Sequence, residues 1–399
     1  MSQPPAASHS HFVVVTALGI TQILAWGSTY YLPAVLAVPI VKDTGWPLDW
    51  VVGGLSIGLL IAGLISPRVG HLIEQKGGRP VMSVSALLFV LGLLILGLAP
   101  SLPVFLGGWV VLGVAMGAGL YDPAFSTLGR LYGENARGAI THVTLYGGFA
   151  STVCWPFSAL LVEQIGWRGT CLAYAGIHLA VVLPLFWFGL PREFPRPSVI
   201  HAAGTPKRSL LPPEHRVAFA LLAAGLTLAS VVMTVVAVHI LALLQARGVA
   251  LAAAVGFGTL IGPSQVGARI LEATLGRRLH PVWSMLLASI AVAGGLAMLM
   301  GDASVIAAGI VLYGAGNGIR SIARGTVPLA LFGKEGYAIL MGWLSLPILV
   351  TQAISPSLGA ILITRVGPDG TIGWLAALSV LNVIAAAALL PYALRPRPA

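Results

Sequence analysis

The chain has 399 residues, is 57% hydrophobic and only 9% charged, and carries a net charge of +10. Soluble domains cover their surfaces with about 25% charged residues, so a water-facing exterior is excluded and the solvent is lipid. Nucleic acid is not the partner implied by the basic excess. Of the 22 Lys and Arg, all but Lys42, Arg168, Arg247, Arg365 and Arg320 fall in or beside loops and tails on one side of a multi-pass layout. That is the positive-inside bias, with both termini cytoplasmic. About twenty apolar residues make one crossing, which leaves room for about twelve. The long Leu/Ala/Val/Gly runs lack the alternation of a barrel strand. The expected fold is an all-α membrane protein with twelve transmembrane helices in two pseudo-symmetric six-helix halves. It should be a monomer in the cell's inner (cytoplasmic) membrane, with the lipid bilayer and a small-molecule substrate as its partners.

In chain order, the first eleven residues are polar without Lys or Arg, and no secretory cleavage pattern follows. The first span, 12–38, contains WGSTYYLP, and Pro33 should bend its outer half. Tyr30 and Tyr31 there belong either to an internal cavity or to an interfacial aromatic belt. The second span, 50–69, holds GLSIG, a formal nucleophile-elbow match around Ser56. Inside a continuous apolar helix, Gly54 and Gly58 instead form a small-xxx-small packing face. A polar loop, GHLIEQKGGRP (70–80), follows, with Gly70, Glu74, Gly77 and Arg79. The third and fourth spans cover 81–99 and 103–131, the latter with GVAMGAGLYDPAF. The fifth and sixth cover 139–162 and 171–190. Cys154 and Cys171 read as small packing residues. A Pro/Arg/Lys/Ser-rich stretch, 191–216, is expected to be a solvated linker between an N-terminal half, 1–190, and a C-terminal half, 217–399.

The second half repeats the scheme, with spans at 217–244, 251–271, 283–300, 303–332, 337–364 and 372–394. Glu74-x-x-x-Gly78-Arg79 returns 198 residues later as Glu272-x-x-x-Gly276-Arg277, followed by Arg278. Gly117-x-Gly119-Leu120 in the fourth span aligns with Gly316-x-Gly318-Ile319 in the tenth, after which one copy carries Asp122 and the other Arg320. Internal repeats of this kind are the sequence trace of many transporters.

Of the twelve acidic residues, only Asp122 lies well inside a span, and an intramembrane carboxylate is by default a functional residue. Arg320 holds its charge at any working pH and suits an anion. His239 and His178 titrate near neutrality when unperturbed, or serve as neutral hydrogen-bonded packing residues. No metal-ligand spacing or P-loop appears, so no cofactor is expected; the proton gradient would supply the energy.

The 70–80 loop resembles the G-x-L-a-D-r-x-G-r-r loop between the second and third helices of the major facilitator superfamily. Gly70, Leu72, Gly77 and Arg79 fit it; Glu74 stands where the family usually has Asp, and Gln75 and Gly78 replace residues that are usually basic. The Gly166-Trp167-Arg168 turn also recurs in that family. The resemblance implies a secondary transporter whose cavity is lined by spans 1, 4, 7 and 10, where Asp122 and Arg320 would sit. It implies gating by the duplicated loops at Glu74, Arg79, Glu272, Gly276, Arg277 and Arg278. Trp155-Pro156 and Ser355-Pro356 resemble the Gly-Pro motif of the family's antiporters, or are simple proline kinks. That motif leans to proton-coupled export of small toxic compounds, although Trp109 stands where drug antiporters commonly have an arginine. The first span and RGAITHVTLYGGF (137–149) resemble monocarboxylate and oxalate/formate carriers, which would make the chain a proton-coupled importer of small organic anions. An intramembrane enzyme using Ser56 is the remote reading, for Ser56 has no His or second acid at a matching depth.

Overall fold

A computed structural model of the chain describes residues 10–193, 211, 213–301 and 303–394. Most of the linker, Asp302 and the tail 395–399 lie outside the described residues. Those described are helical, with no strand among them. Eight stretches are long and apolar enough to cross a membrane, two of them, Leu102–Gly189 and Tyr337–Ala393, far longer than one crossing. The chain divides into two compact units: Met1–Arg208 with Lys334–Ala353, and Ser209–Gly333 with Ile354–Ala399.

In the first unit, Ser10 caps α1 (His11–Gly27) by accepting from the Val13 amide at 3.3 Å. The first span is not one bent helix as expected. It stops at Gly27, turns through residues 28–32, and restarts as α2 (Pro33–Thr44). Pro33 sits at the first helical position, where its missing N–H costs nothing, so it begins a helix rather than kinking one. Next come α3 (Leu48–Lys76), α4 (Gly78–Leu98), α5 (Leu102–Gly119) and α6 (Tyr121–Tyr132). The fourth span is thus broken at Leu120, whose ψ of −157° is extended. After α7 (Ala136–Gly148), α8 (Ala150–Ile177) turns sharply at Gly166, with φ 70° and ψ 175°. A π-helical segment, His178–Val182, leads into α9 (Leu183–Gly189).

The second unit contains α10 (Pro213–Ala246), α11 (Leu251–Thr259), α12 (Ile261–Thr274), α13 (Pro281–Leu299) and α14 (Ala303–Phe332). The chain continues in α15 (Tyr337–Ala388) and α16 (Leu390–Ala393), and α15 turns at Gly367 with φ 74° and ψ 175°, as α8 does at Gly166.

Helix α4 shows which solvent the fold is built for. Met82, Ala86, Phe89, Leu93 and Leu96 are buried at 0–1% exposure, while Val84, Leu87, Leu91 and Leu98 on the opposite face are about half exposed (48–65%). Both sets keep a helical spacing of three and four. Both are apolar, so one face packs on protein and the other suits hydrocarbon chains.

The inner faces pack through glycines, and the same contacts occur in both units. A side chain on Gly113 would meet the Gly58 carbonyl, and one on Gly314 the Ile261 carbonyl. Gly117 and Gly318 face the Ala62 and Gln265 carbonyls, and Gly108 and Gly309 those of Gly92 and Gly295. Each glycine pair is offset by 201 positions and each carbonyl pair by 203. The Gly166 and Gly367 turns share the 201 offset. This register corrects the alignment drawn from letters alone. In it Arg320 stands opposite Gly119, and Asp122 opposite Ala323. Glu74 lies twelve residues past Ala62, but Glu272 only seven past Gln265, a difference of about 7.5 Å along a helix. The repeated Glu-x-x-x-Gly-Arg letters therefore do not mark equivalent points.

One end of each unit is closed by an arginine. Arg168 donates to the Gly97 and Ala99 carbonyls, at 3.2 and 2.8 Å, at the end of α4, and pairs with Asp43 at 3.8 Å. Arg247 caps α13 through the Leu299 and Met300 carbonyls and pairs with Asp369 at 2.9 Å. Both place a cation where a helix ends in unbonded carbonyls.

Candidate functional site

The break between α5 and α6 is the local feature from which the site grows. Opening the helix at Leu120 frees backbone carbonyls, and a buried unpaired carbonyl is costly. Gln22, fully buried on α1, donates from Nε2 to the Gly119 carbonyl at 2.9 Å, and its Oε1 accepts from Trp26 Nε1 at 3.2 Å. One amide thus satisfies the break and fixes an indole. Tyr121, the first residue of α6, lies 5.0 Å from the Trp26 ring and stacks on Phe125 at 5.3 Å. Asp122 follows in the first turn of α6, partly buried, where the amide-rich end of the helix favours a negative charge. It lies within electrostatic range of the Tyr337 phenol.

Tyr30 and Tyr31 occupy the turn between α1 and α2, in edge contact with each other at 5.3 Å. Tyr30 also meets Trp26 edge-on at 5.3 Å, and Tyr31 meets Trp155 at 5.9 Å. The two tyrosines, Trp26 and Tyr121, which directly precedes Asp122, thus form one cluster.

In the second unit Arg320 lies buried on an unbroken α14. Its Nε donates to Asn317 Oδ1 at 3.3 Å, and the guanidinium rests against the Met233 thioether of α10. Arg269, on α12, is also buried, and its Nε donates to Ser321 Oγ at 3.0 Å. His239 bonds through Nε2 to the Pro356 carbonyl at 2.9 Å. A carbonyl only accepts, so Nε2 carries the proton. Gly359 leaves the space that the imidazole fills.

The loop residues are placed by packing as much as by charge. A side chain on Gly70 would run into the Ala338 carbonyl at 2.4 Å, so only glycine lets α3 approach the start of α15 so closely. Gly77 has φ 84°. Glu74 is buried, and its carbonyl accepts from Arg130. Arg79 lies over the Trp187 ring at 4.7 Å. Ser284 donates to Glu272 Oε1 at 2.8 Å, and the Glu272 carboxylate folds against Gly276, so a β-carbon there would have to displace it. Arg278 is exposed, and the Arg277 side chain lies outside the described residues.

Several residues escaped the reading by letters. Glu193, expected to be solvated, is held against α4 and α6: it pairs with the buried Arg130 Nε and accepts the Gly78 amide at 3.2 Å. His178, which the sequence singles out beside His239, is fully buried, bonds Ser28 Oγ through Nε2 at 2.7 Å, and stacks on Phe89. Gln22 had a findable signal, since it is the one amide side chain in the apolar run of α1; Arg269 had less, since Gln265 and Glu272 share its helix. The glycines of the GLSIG match form a packing surface: Gly54 and Gly58, which flank Ser56, seat the buried Trp109 indole. Among the described residues no three His, Cys, Asp or Glu side chains converge as a metal site would need.

Comparison with known proteins bears on this arrangement. Over 165 residues the chain is 29% identical to monocarboxylate transporter 11 of Mus musculus, covering 39% of this chain and 34% of that protein. Over 157 residues it is 26% identical to the purine ribonucleoside efflux pump NepI of Escherichia coli, covering 39% of each. The chain thus spans about a third of the length of the first curated relatives it matches. Its fold is similar to the outward conformation of FucP, a fucose:proton symporter of E. coli, with a TM-score of 0.74 at 13% identity over 95% of this chain and 99% of that one. The family model described as Major Facilitator Superfamily matches residues 18–319. With that match over most of its length, the chain belongs to the Major Facilitator Superfamily.

Proposed function

We propose that this chain is a proton-coupled secondary carrier rather than an enzyme, moving a small organic molecule across the inner membrane by alternating access, with export as its direction. The observation that carries the reading is Asp122. It is an acidic residue on the first turn of a helix that begins at a break, next in sequence to Tyr121, whose ring meets Trp26. A carboxylate so placed gains and loses a proton as its surroundings change. The proposed layout has twelve crossings with both termini cytoplasmic. α1 with α2 makes one, Leu102–Gly189 makes three, Tyr337–Ala393 makes two, and six single stretches complete the two six-helix halves. The similarity to an efflux pump supports export.

The similarity to monocarboxylate transporter 11 supports a second reading, uptake of small organic anions, in which Arg320 binds the carboxylate. Cells lacking or overproducing the protein separate the two. Overproduction of an exporter lowers the accumulation of its substrate and raises tolerance to it, whereas an importer of monocarboxylates raises the accumulation of labelled lactate or benzoate. If neither changes with an imposed proton gradient, proton-coupled transport in either direction is wrong for these compounds.

A further inference from the structure

The chemical class of the cargo is legible in one row of side chains in the first unit. Trp155 of α8 stands edge-on to Tyr31 at 5.9 Å, Tyr31 to Tyr30 at 5.3 Å, and Tyr30 to Trp26 at 5.3 Å. Trp26 meets Tyr121 at 5.0 Å, and Tyr121 stacks on Phe125 at 5.3 Å with planes 13° apart. Six rings from three separate stretches of chain are thus in unbroken contact. Phe125 is buried, whereas Trp26, Tyr30, Tyr31 and Tyr121 each keep part of their surface open and Trp155 is exposed.

The ring edges are tied down. Trp26 Nε1 donates to Gln22, Trp155 Nε1 to the Tyr31 carbonyl at 3.3 Å, and the Tyr121 hydroxyl to the Thr144 carbonyl at 3.5 Å. Rings held in this way need little further ordering when a ligand arrives, which favours binding.

Depth excludes the bland explanation for the inner part of the row. Trp26 is fifteen residues beyond the start of α1, and Tyr121 eleven before the end of α6; at 1.5 Å per residue these are about 23 Å and about 17 Å along their helices. Against a hydrocarbon core about 30 Å thick, Tyr121 falls near the middle and Trp26 some way past it, still short of the far boundary. Interfacial belts lie at the two boundaries instead. Three phenol hydroxyls and the neighbouring Asp122 are also groups that bare hydrocarbon disfavours.

We infer that this row is the substrate-contacting wall, and that the cargo is a planar, ring-bearing organic compound held by face and edge contacts with Trp26, Tyr30, Tyr31 and Tyr121. The inference rests on the transport reading above. It is tested on the purified full chain in lipid nanodiscs by quenching of tryptophan fluorescence. The probes are benzoate, benzylamine, indole and quinoline, each against its saturated-ring counterpart. The expected result is that at least one planar compound binds tenfold or more tightly than its saturated partner. Trp26→Leu and Tyr121→Leu should erase that preference, read by thermal shift; Trp26→Phe, which keeps a ring, and Trp187→Leu, outside the row, should retain it. Equal binding of planar and saturated partners, a preference that survives both leucine variants, or no response to any planar probe overturns the inference. Proton-driven transport of a saturated compound would sink this assignment while leaving the transport reading in place.

Discussion

At the scale of single residues, chemistry and architecture can be separated by substitution. Asp122→Asn keeps shape and removes titration. Proton-driven accumulation should be lost in that variant while substrate binding is retained, as read in proteoliposomes with and without a pH gradient; intact proton-driven accumulation would leave Asp122 a structural residue. Gln22 plays the complementary part. Gln22→Leu leaves the Gly119 carbonyl buried without its donor, which costs about 1–3 kcal/mol and should lower the thermal unfolding midpoint in detergent. Glu193→Gln breaks the pair with Arg130, whose side chain is 1% exposed against 12% for Glu193. Removing one partner of a buried pair costs about 3–5 kcal/mol, so this variant should be the less stable of the two in the same assay. The sequence exposes Asp122 because a charge inside an apolar run is conspicuous. It conceals Glu193, since an acid in a Pro- and Arg-rich stretch looks solvated until the groove between α4 and α6 that receives it is known. Arg130 likewise looks like one more cytoplasmic cation until its neighbours are in place.

At the scale of helices, composition reveals crossings far better than it reveals their breaks. The runs that become α3, α4, α10 and α13 are legible because twenty or more apolar residues admit few other fates in lipid. The interruptions at residues 28–32 and at Leu120 are not, because each depends on what satisfies the released backbone groups. Gln22 is 97 positions away from the carbonyl it serves. Pro33 and Pro123 signal irregularity without saying whether a helix will bend, stop or restart. Letters also mislead about the repeat: Glu-x-x-x-Gly-Arg recurs by eye, yet the glycine contacts place the two copies more than a turn apart. Those contacts give an expectation of their own. A side chain on Gly318 would come within 2.3 Å of the Gln265 carbonyl, whereas Gly256 faces open space. Gly318→Val should therefore force α12 and α14 apart and lower stability by about 1–3 kcal/mol or more, and Gly256→Ala should be neutral or slightly stabilising. If both behave alike in thermal unfolding, the glycine seam is not what holds that helix pair.

For the molecule as a whole, orientation rests on charge bias and on where the helices end. The ends of α4 and α13 are capped by Arg168 and Arg247, two of the few basic residues assigned to the outer side. These two are consumed by helix carbonyls and by Asp43 and Asp369, so they do not compete with the cytoplasmic excess in setting topology. The proposed twelve crossings then put Leu48, Ser101 and Ala250 outside and Lys76 and Lys334 inside. Native cysteines do not obscure a test, because Cys154 and Cys171 are both buried. Single cysteines introduced at the five positions should divide cleanly under a membrane-impermeant maleimide. In intact cells Leu48→Cys, Ser101→Cys and Ala250→Cys should be labelled. Lys76→Cys and Lys334→Cys should react only after the membrane is opened. Labelling of Lys76→Cys and Lys334→Cys in intact cells would reverse the orientation. A split in which Leu48→Cys and Ala250→Cys report opposite sides would mean an odd number of crossings between them, which six helices per half does not allow.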